Sequence, residues 1–188
     1  MLDETRNNFI CSICVDGTTA GICFADISTG ELHATTLRDG NLSELLKNEL
    51  SRYSPREILI NQNILELAEL PKFIKERLSA SLELLDNTEY LQEVCSSLVL
   101  GQFNKENLYD LNLIDKPEIV RSIGALLSYL KRTQRIGIER INAIDLYTGA
   151  QFMHLDLNAR RNLELLETMR NKEKRGSLLW VLDKTRTA

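Results

Sequence analysis

The chain has 188 residues, of which 43% are hydrophobic, with nine glycines and three prolines, and this composition excludes a largely disordered protein. The formal net charge of −4 and the pI near 5.3 exclude a general electrostatic attraction of the whole chain to nucleic acid. No apolar run approaches the roughly 20 residues that cross a bilayer, so we expect a cytoplasmic protein with no membrane partner.

The first forty residues predict a three-stranded antiparallel meander. In residues 8–37, the apolar runs NFICSICV, ICFADI and LHATTL are separated by the turn-forming stretches DGTTAG and STGE. The following segment NLSELLKNELSRY carries leucines at helical spacing behind Asn41, a residue that can cap a helix N-terminus. An amphipathic helix is therefore expected over residues 41–53.

Residues 54–86 predict two further strands around broken helical material. Ile58 to Ile60 form a short apolar run, Pro71 interrupts a helical pattern, and SLELLD resembles another strand. Strands that alternate with helices indicate an α/β sheet whose later strands are parallel. The order of three antiparallel strands, helix, strand, helix and strand is that of a ribonuclease H-like fold, a mixed sheet with flanking helices.

This fold raises the alternative of a metal-dependent nuclease. Such an enzyme needs several carboxylates that converge on two Mg²⁺ ions, one of them usually on the first strand. The first predicted strand carries none, and Asp16, Asp26 and Asp86 lie apart at strand ends, where acids commonly form turns or cap helices. We expect no catalytic and no metal site. A stand-alone regulatory domain that binds a small ligand remains a second alternative.

The cysteines and histidines do not suggest a metal or redox centre. Cys11 and Cys14 have C-x-x-C spacing, but in a strand residues three apart point to opposite faces. Buried, reduced thiols are the expected outcome. His33 and His154 are far apart in sequence, which makes a zinc site improbable.

The second half is expected to be mostly α-helical. Residues 87–103 are polar and weakly periodic and predict a connector helix or loop, whereas Pro117 opens a strongly amphipathic helix with its apolar face at Ile119, Ile123, Leu126, Leu127 and Leu130. A short strand is expected to lead into a helix capped by Asp156 or Asn158. Gly176 would end that helix, and another would begin at Ser177.

Four segments resemble the MutS family of bacterial mismatch-repair proteins. DLNARRNLELLETMR and GSLLWVLDKTRTA are similar to the start of the family's core, or lever, domain. GICFADISTGEL resembles a strand-turn-strand of its connector domain, and IGALLSYLKRTQR resembles the helix that joins the connector to the core. The segments occur in family order and the resemblance spans residues 7–188.

The resemblance implies a piece of a larger protein with two parts. Residues 1–102 would be a ribonuclease H-like connector domain without catalytic acids, and residues 103–188 a truncated start of the core domain. The chain contains no G-x-x-x-x-G-K-[ST] loop, so ATP and Mg²⁺ would bind the parent protein outside this region and no cofactor is expected within it.

The resemblance also implies a function that is not enzymatic. The segment would transmit conformational state between the mismatch site and the ATPase site of the parent, which is expected to be a homodimeric ATPase, and would dock the partner MutL. Glu93, Ser97 and Gln102 are the candidate MutL-binding residues, because they follow the last predicted strand in a polar segment. The parent would bind mismatched DNA through other domains. The basic stretch from Asn158 onward, with eight basic and four acidic side chains, is expected to give only weak phosphate contacts.

Overall fold

The protein forms two compact units, Met1–Gln151 and Phe152–Ala188, in a computed structural model. The residues that the structure describes are 8–38, 40–67, 69–133, 137–148, 162–165, 168–170 and 173–182. Among them, no helix combines the length and the apolar composition that crossing a membrane requires.

A mixed six-stranded sheet forms the centre of the first unit. The strands lie in the order β5-β4-β1-β2-β3-β6. β1, β2 and β3 are antiparallel neighbours, whereas β4 pairs parallel to β1, β5 parallel to β4 and β6 parallel to β3. This confirms the predicted meander and the mixed α/β fold. The strand bounds are Ile10–Asp16, Thr19–Asp26, Glu31–Leu37, Glu57–Ile60, Ser81–Leu84 and Asp145–Leu146.

Helices α1 and α2 cover one face of the sheet. Helix α1, Leu42–Tyr53, begins as predicted behind Asn41, whose side chain accepts a hydrogen bond from the Glu44 N–H at 3.3 Å. Helix α2, Glu69–Phe73, continues into a π-helical turn, Ile74–Leu78. The predicted break around Pro71 is present, although the proline itself lies in the first turn of α2, where its missing N–H costs no helical hydrogen bond.

Helices α3 and α4 cover the opposite face. Helix α4, Pro117–Arg132, buries the five apolar residues predicted for its inner face. Helix α3, Gln92–Phe103, is a regular helix where the sequence left a helix or a loop open, and it buries Cys95, Val99 and Phe103 at i, i+4 and i+8. Each face of the sheet therefore has its own hydrophobic cluster within this unit.

The boundary predicted at residue 102 falls inside the first unit, which continues to Gln151. Helices α3 and α4 belong to one hydrophobic core, because Cys95 of α3 packs against α4, and Ile119 and Ile123 of α4 join the strands beneath. This packing has no local signature in the sequence, because it depends on contacts between two helices separated by a loop. The structure thus divides the chain after Gln151.

The described part of the second unit contains one short helix, α5, Leu178–Leu182. Its start agrees with prediction: Gly176 adopts a left-handed conformation with φ of 93°, and the Ser177 hydroxyl accepts a hydrogen bond from the Trp180 N–H at 3.2 Å. The predicted strand with His154 and the caps at Asp156 or Asn158 lie outside the described residues. The helix predicted to follow them is not continuous, because residues 162–165 and 168–170 lie mostly in turns and Glu164 has a left-handed φ of 46°.

Candidate functional site

At the centre of β1, where a nuclease of this fold would present a carboxylate, the side chains are uncharged; Asp16 lies on the same face but at the end of the strand. Ser12 and Cys14 point from β1 toward the α3 and α4 layer, and both are fully buried. The Ser122 hydroxyl of α4 donates a hydrogen bond to the Ser12 carbonyl at 2.7 Å, so the helix lies directly over this position. A buried serine and a thiol under a helix cannot replace the anionic oxygen ligands that Mg²⁺ prefers.

The aspartates at or near the strand ends form hydrogen bonds or an ion pair within the protein and do not converge on a metal site. Burial alone would raise the pKa of Asp26, but hydrogen bonds from Ser28 and from the Asn8 N–H outweigh it and hold the pKa below its ordinary value. Asp86 caps the turn at Thr88, and Asp16 pairs with Arg121 at 2.6 Å. Within the described ranges, no three His, Cys, Asp or Glu side chains are grouped so that they could hold a metal ion.

The four thiols are buried and unreactive in character. Cys11 points into the α1 and α2 core, while Cys14 points into the α3 and α4 core, which confirms that the C-x-x-C pair cannot share a ligand. Burial raises the pKa of Cys14 to about 11 and that of Cys23 and Cys95 to about 12. The pKa of Cys11 is also raised well above its ordinary value by burial. Protonated thiols of this kind are poor nucleophiles at neutral pH.

Two of the three predicted docking residues share one exposed face of α3. Glu93, Val94, Ser97 and Gly101 are all exposed and lie within about 100° of arc on the helix; we call them the α3 face. Val94 keeps 46% of its surface exposed, and a Cβ at Gly101 would meet no atom within 4 Å. The face therefore presents one acid, one hydroxyl and one apolar side chain, and the surface at Gly101 is open.

Gln102 does not lie on the α3 face. It is roughly 140° around the helix from Ser97, and its side chain is only partly exposed. The Gln102 Nε2 group donates hydrogen bonds to two backbone carbonyls, those of Ile138 at 3.0 Å and Ile141 at 2.9 Å. Sequence reasoning could not reveal this role, because the acceptors follow 36 and 39 residues later in the chain.

A shallow depression between α1 and α2 bears on the ligand-binding alternative. It measures about 270 Å³ and is formed by Lys47, Phe73 and four charged side chains of the α2 region. The Lys47 ammonium already pairs with Glu44 at 2.8 Å and with Glu69 at 2.9 Å. Small-molecule sites are typically larger, more enclosed and mostly apolar, so this depression does not favour a ligand-binding domain.

A model of a known protein family matches most of the first unit. The family model described as MutS domain II matches residues 8–145. The chain belongs to the MutS family. Its first unit is the MutS domain II, or connector domain, of a mismatch-repair protein, and the resemblance seen in the sequence is confirmed.

Individual MutS proteins match the chain over its whole length. The DNA mismatch repair protein MutS of Ruminiclostridium cellulolyticum is 38% identical over 188 residues, which cover 100% of this chain and 21% of the relative. That of Caldanaerobacter subterraneus subsp. tengcongensis is 40% identical over 186 residues, covering 99% of this chain and 21% of the relative. The chain thus spans about a fifth of the length of the curated MutS proteins it matches.

Proposed function

We propose that this chain is a non-catalytic docking and transmission segment of a MutS protein. In the parent, it connects the part that recognises mismatched DNA with the part that binds ATP and Mg²⁺, and it offers a surface to MutL. Residues 152–188 would be the opening of the core domain. The parent would act as a homodimer in the cytoplasm, and its ATP, Mg²⁺ and DNA sites would lie outside these residues.

The observation that carries the proposal is the uncharged centre of β1 in a MutS connector fold. Ser12 and Cys14 occupy the centre of the sheet under α4, and the three strand-end aspartates have structural partners. The domain thus keeps a nuclease-like sheet as a scaffold, and its outer surfaces remain available for partners. This division of roles supports a binding function over a catalytic one.

The α3 face supports MutL docking. It is formed by a regular helix whose opposite side is fixed by the buried Cys95, Val99 and Phe103, so the exposed side chains project from a rigid platform. The face combines a half-exposed apolar side chain, Val94, with the polar Glu93 and Ser97, as in the partner surfaces of transient complexes.

Placing a bulky cation in the centre of this face is expected to weaken MutL binding. The Ser97→Arg variant should lower the affinity of the chain for purified MutL at least tenfold, roughly 1.4 kcal/mol, because the long side chain obstructs close contact. Biolayer interferometry with immobilised MutL measures the change. The matched control is Glu76→Arg, which places the same side chain on the exposed π-helical turn of the opposite face of the sheet. Equal affinities for Ser97→Arg and Glu76→Arg would refute docking at α3.

A further inference from the structure

The last described segment of the first unit, residues 137–148, is attached to the sheet edge with little backbone pairing. Its strand β6 contributes two residues to the ladder with β3. By comparison, β4 and β5 share four paired positions. We call residues 137–148 the strap. It immediately precedes residues 149–151 and then the second unit in the chain.

Side chains from three elements hold the strap in place. From β3, the Thr35 hydroxyl donates to the Tyr147 carbonyl at 2.7 Å, and the His33 ring lies 2.8 Å from the Asp145 carboxylate. From α1, the buried Glu49 carboxylate accepts a hydrogen bond from the Tyr147 hydroxyl at 2.6 Å. The attachment of the strap thus depends on residues far away in sequence.

The third element is α3, which reaches the strap through Gln102. One amide nitrogen serves both the Ile138 and the Ile141 carbonyl, so both of its hydrogens are committed to the strap. Two hydrogen bonds at 3.0 and 2.9 Å from one planar group leave little freedom, and a shift of α3 by about 1 Å would break at least one of them. The helix that carries the exposed α3 face is therefore tied to the strap.

We propose that α3 and the strap form one coupled element, and that Gln102 is the positioning residue through which a change at α3 reaches the segment leading to the second unit. A protein partner that binds the α3 face with different affinity when the strap is attached to the sheet and when it is detached would shift the equilibrium between these two forms of the strap. The coupling itself is a property of this chain alone. The proposed function enters only in naming MutL as the partner that would use it.

Hydrogen exchange on the 188-residue chain, without any partner, tests the coupling. In Gln102→Ala, backbone amides of the strap should exchange roughly tenfold faster than in the unchanged protein, because two carbonyls lose their donor. Amides of β1 and β2 should keep their protection. The matched control is Gln92→Ala on the first turn of the same helix, where the side chain donates to the Ser96 hydroxyl and does not touch the strap. This control should leave strap exchange unchanged.

Coupling must also operate in the reverse direction. Thr35→Val removes the hydroxyl that holds the Tyr147 carbonyl while keeping the side-chain shape, and it should accelerate exchange both in the strap and in the last turn of α3. In the Gln102→Ala background, Thr35→Val should no longer affect α3. If Gln102→Ala also exposes β1, Gln102→Glu, with the same shape but no donor, replaces it in both measurements.

Two results would overturn the proposal. One is unchanged amide exchange in the strap of both Gln102 variants. The other is faster amide exchange in the strap of the Thr35→Val variant without faster exchange in α3. Neither measurement contains MutL. A failure to bind MutL would therefore count against the proposed docking function and not against the coupling. Unchanged hydrogen exchange would count against the coupling and not against MutL docking.

Discussion

Replacing Gly124 with alanine is expected to lower the free energy of unfolding by roughly 2–3 kcal/mol. Helices α3 and α4 approach so closely that a Cβ at Gly124 would lie 2.3 Å from the Cys95 Cβ and 2.5 Å from the Cys95 Cα. These atoms belong to or adjoin the backbone of α3, so a flexible side chain cannot simply rotate away. The helices would have to separate, and the core beneath them would lose its close packing.

Gly101→Ala provides a control for which the opposite change in the free energy of unfolding is expected. Gly101 lies in the same pair of helices, but a Cβ there would meet nothing within 4 Å. Alanine has the higher helix propensity, so this variant should gain about 0.5–1 kcal/mol. Urea unfolding followed by circular dichroism measures both changes. A neutral Gly124→Ala would show that α3 and α4 are not packed in the way described.

Tyr147→Phe is expected to lower the free energy of unfolding by about 2 kcal/mol. Burial and the charge of the neighbouring Glu49 carboxylate raise the pKa of the Tyr147 phenol, so the hydroxyl stays protonated and can donate. Its acceptor is that carboxylate, whose side chain is 5% exposed. Removing the donor leaves a buried charged group with one hydrogen bond fewer and little water to replace it.

Chemical unfolding of the Tyr147→Phe and Tyr109→Phe variants compares the loss of a buried, hydrogen-bonded hydroxyl with the loss of an exposed one. Tyr109 is 72% exposed, so its phenylalanine variant should match the unchanged protein within about 0.5 kcal/mol. A double variant Glu49→Gln, Tyr147→Phe should be less destabilised than the sum of its single changes, because the two side chains share one interaction. Additive losses would argue against a direct Tyr147 to Glu49 hydrogen bond.

The sheet and its uncharged centre could be predicted because local signals agreed with the fold. Turn residues at Gly17 and Gly30 separate the three strands of the meander, Asn41 caps α1, and the C-x-x-C pair follows the two-residue period of a strand. The letters of β1 also show that its central positions carry no acid, although the structure includes Asp16 as the last residue of the strand, where the sequence predicted a turn. These features depend on short stretches of chain, and the structure confirms them.

Helix α3 and the unit boundary were less visible, for two physical reasons. The inner face of α3 is marked by Cys95, Val99 and Phe103, but Val94, Leu98 and Leu100 lie on other sides and obscure the helical period. Gln102 looks like any polar surface residue until residues 138–141 are folded against it. Both features are set by tertiary contacts that no local pattern encodes.

Protection of an introduced thiol by MutL tests the docking proposal most directly. The four native thiols are buried with raised pKa values, so in a Ser97→Cys variant the introduced thiol should be the one that maleimide modifies readily. Modification is followed by peptide mass spectrometry with and without purified MutL. Glu76→Cys serves as the control on the opposite face of the sheet. We expect MutL to slow the modification of the Ser97→Cys variant severalfold and to leave that of the Glu76→Cys variant unchanged. Equal modification rates of the Ser97→Cys variant with and without bound MutL would contradict docking at α3.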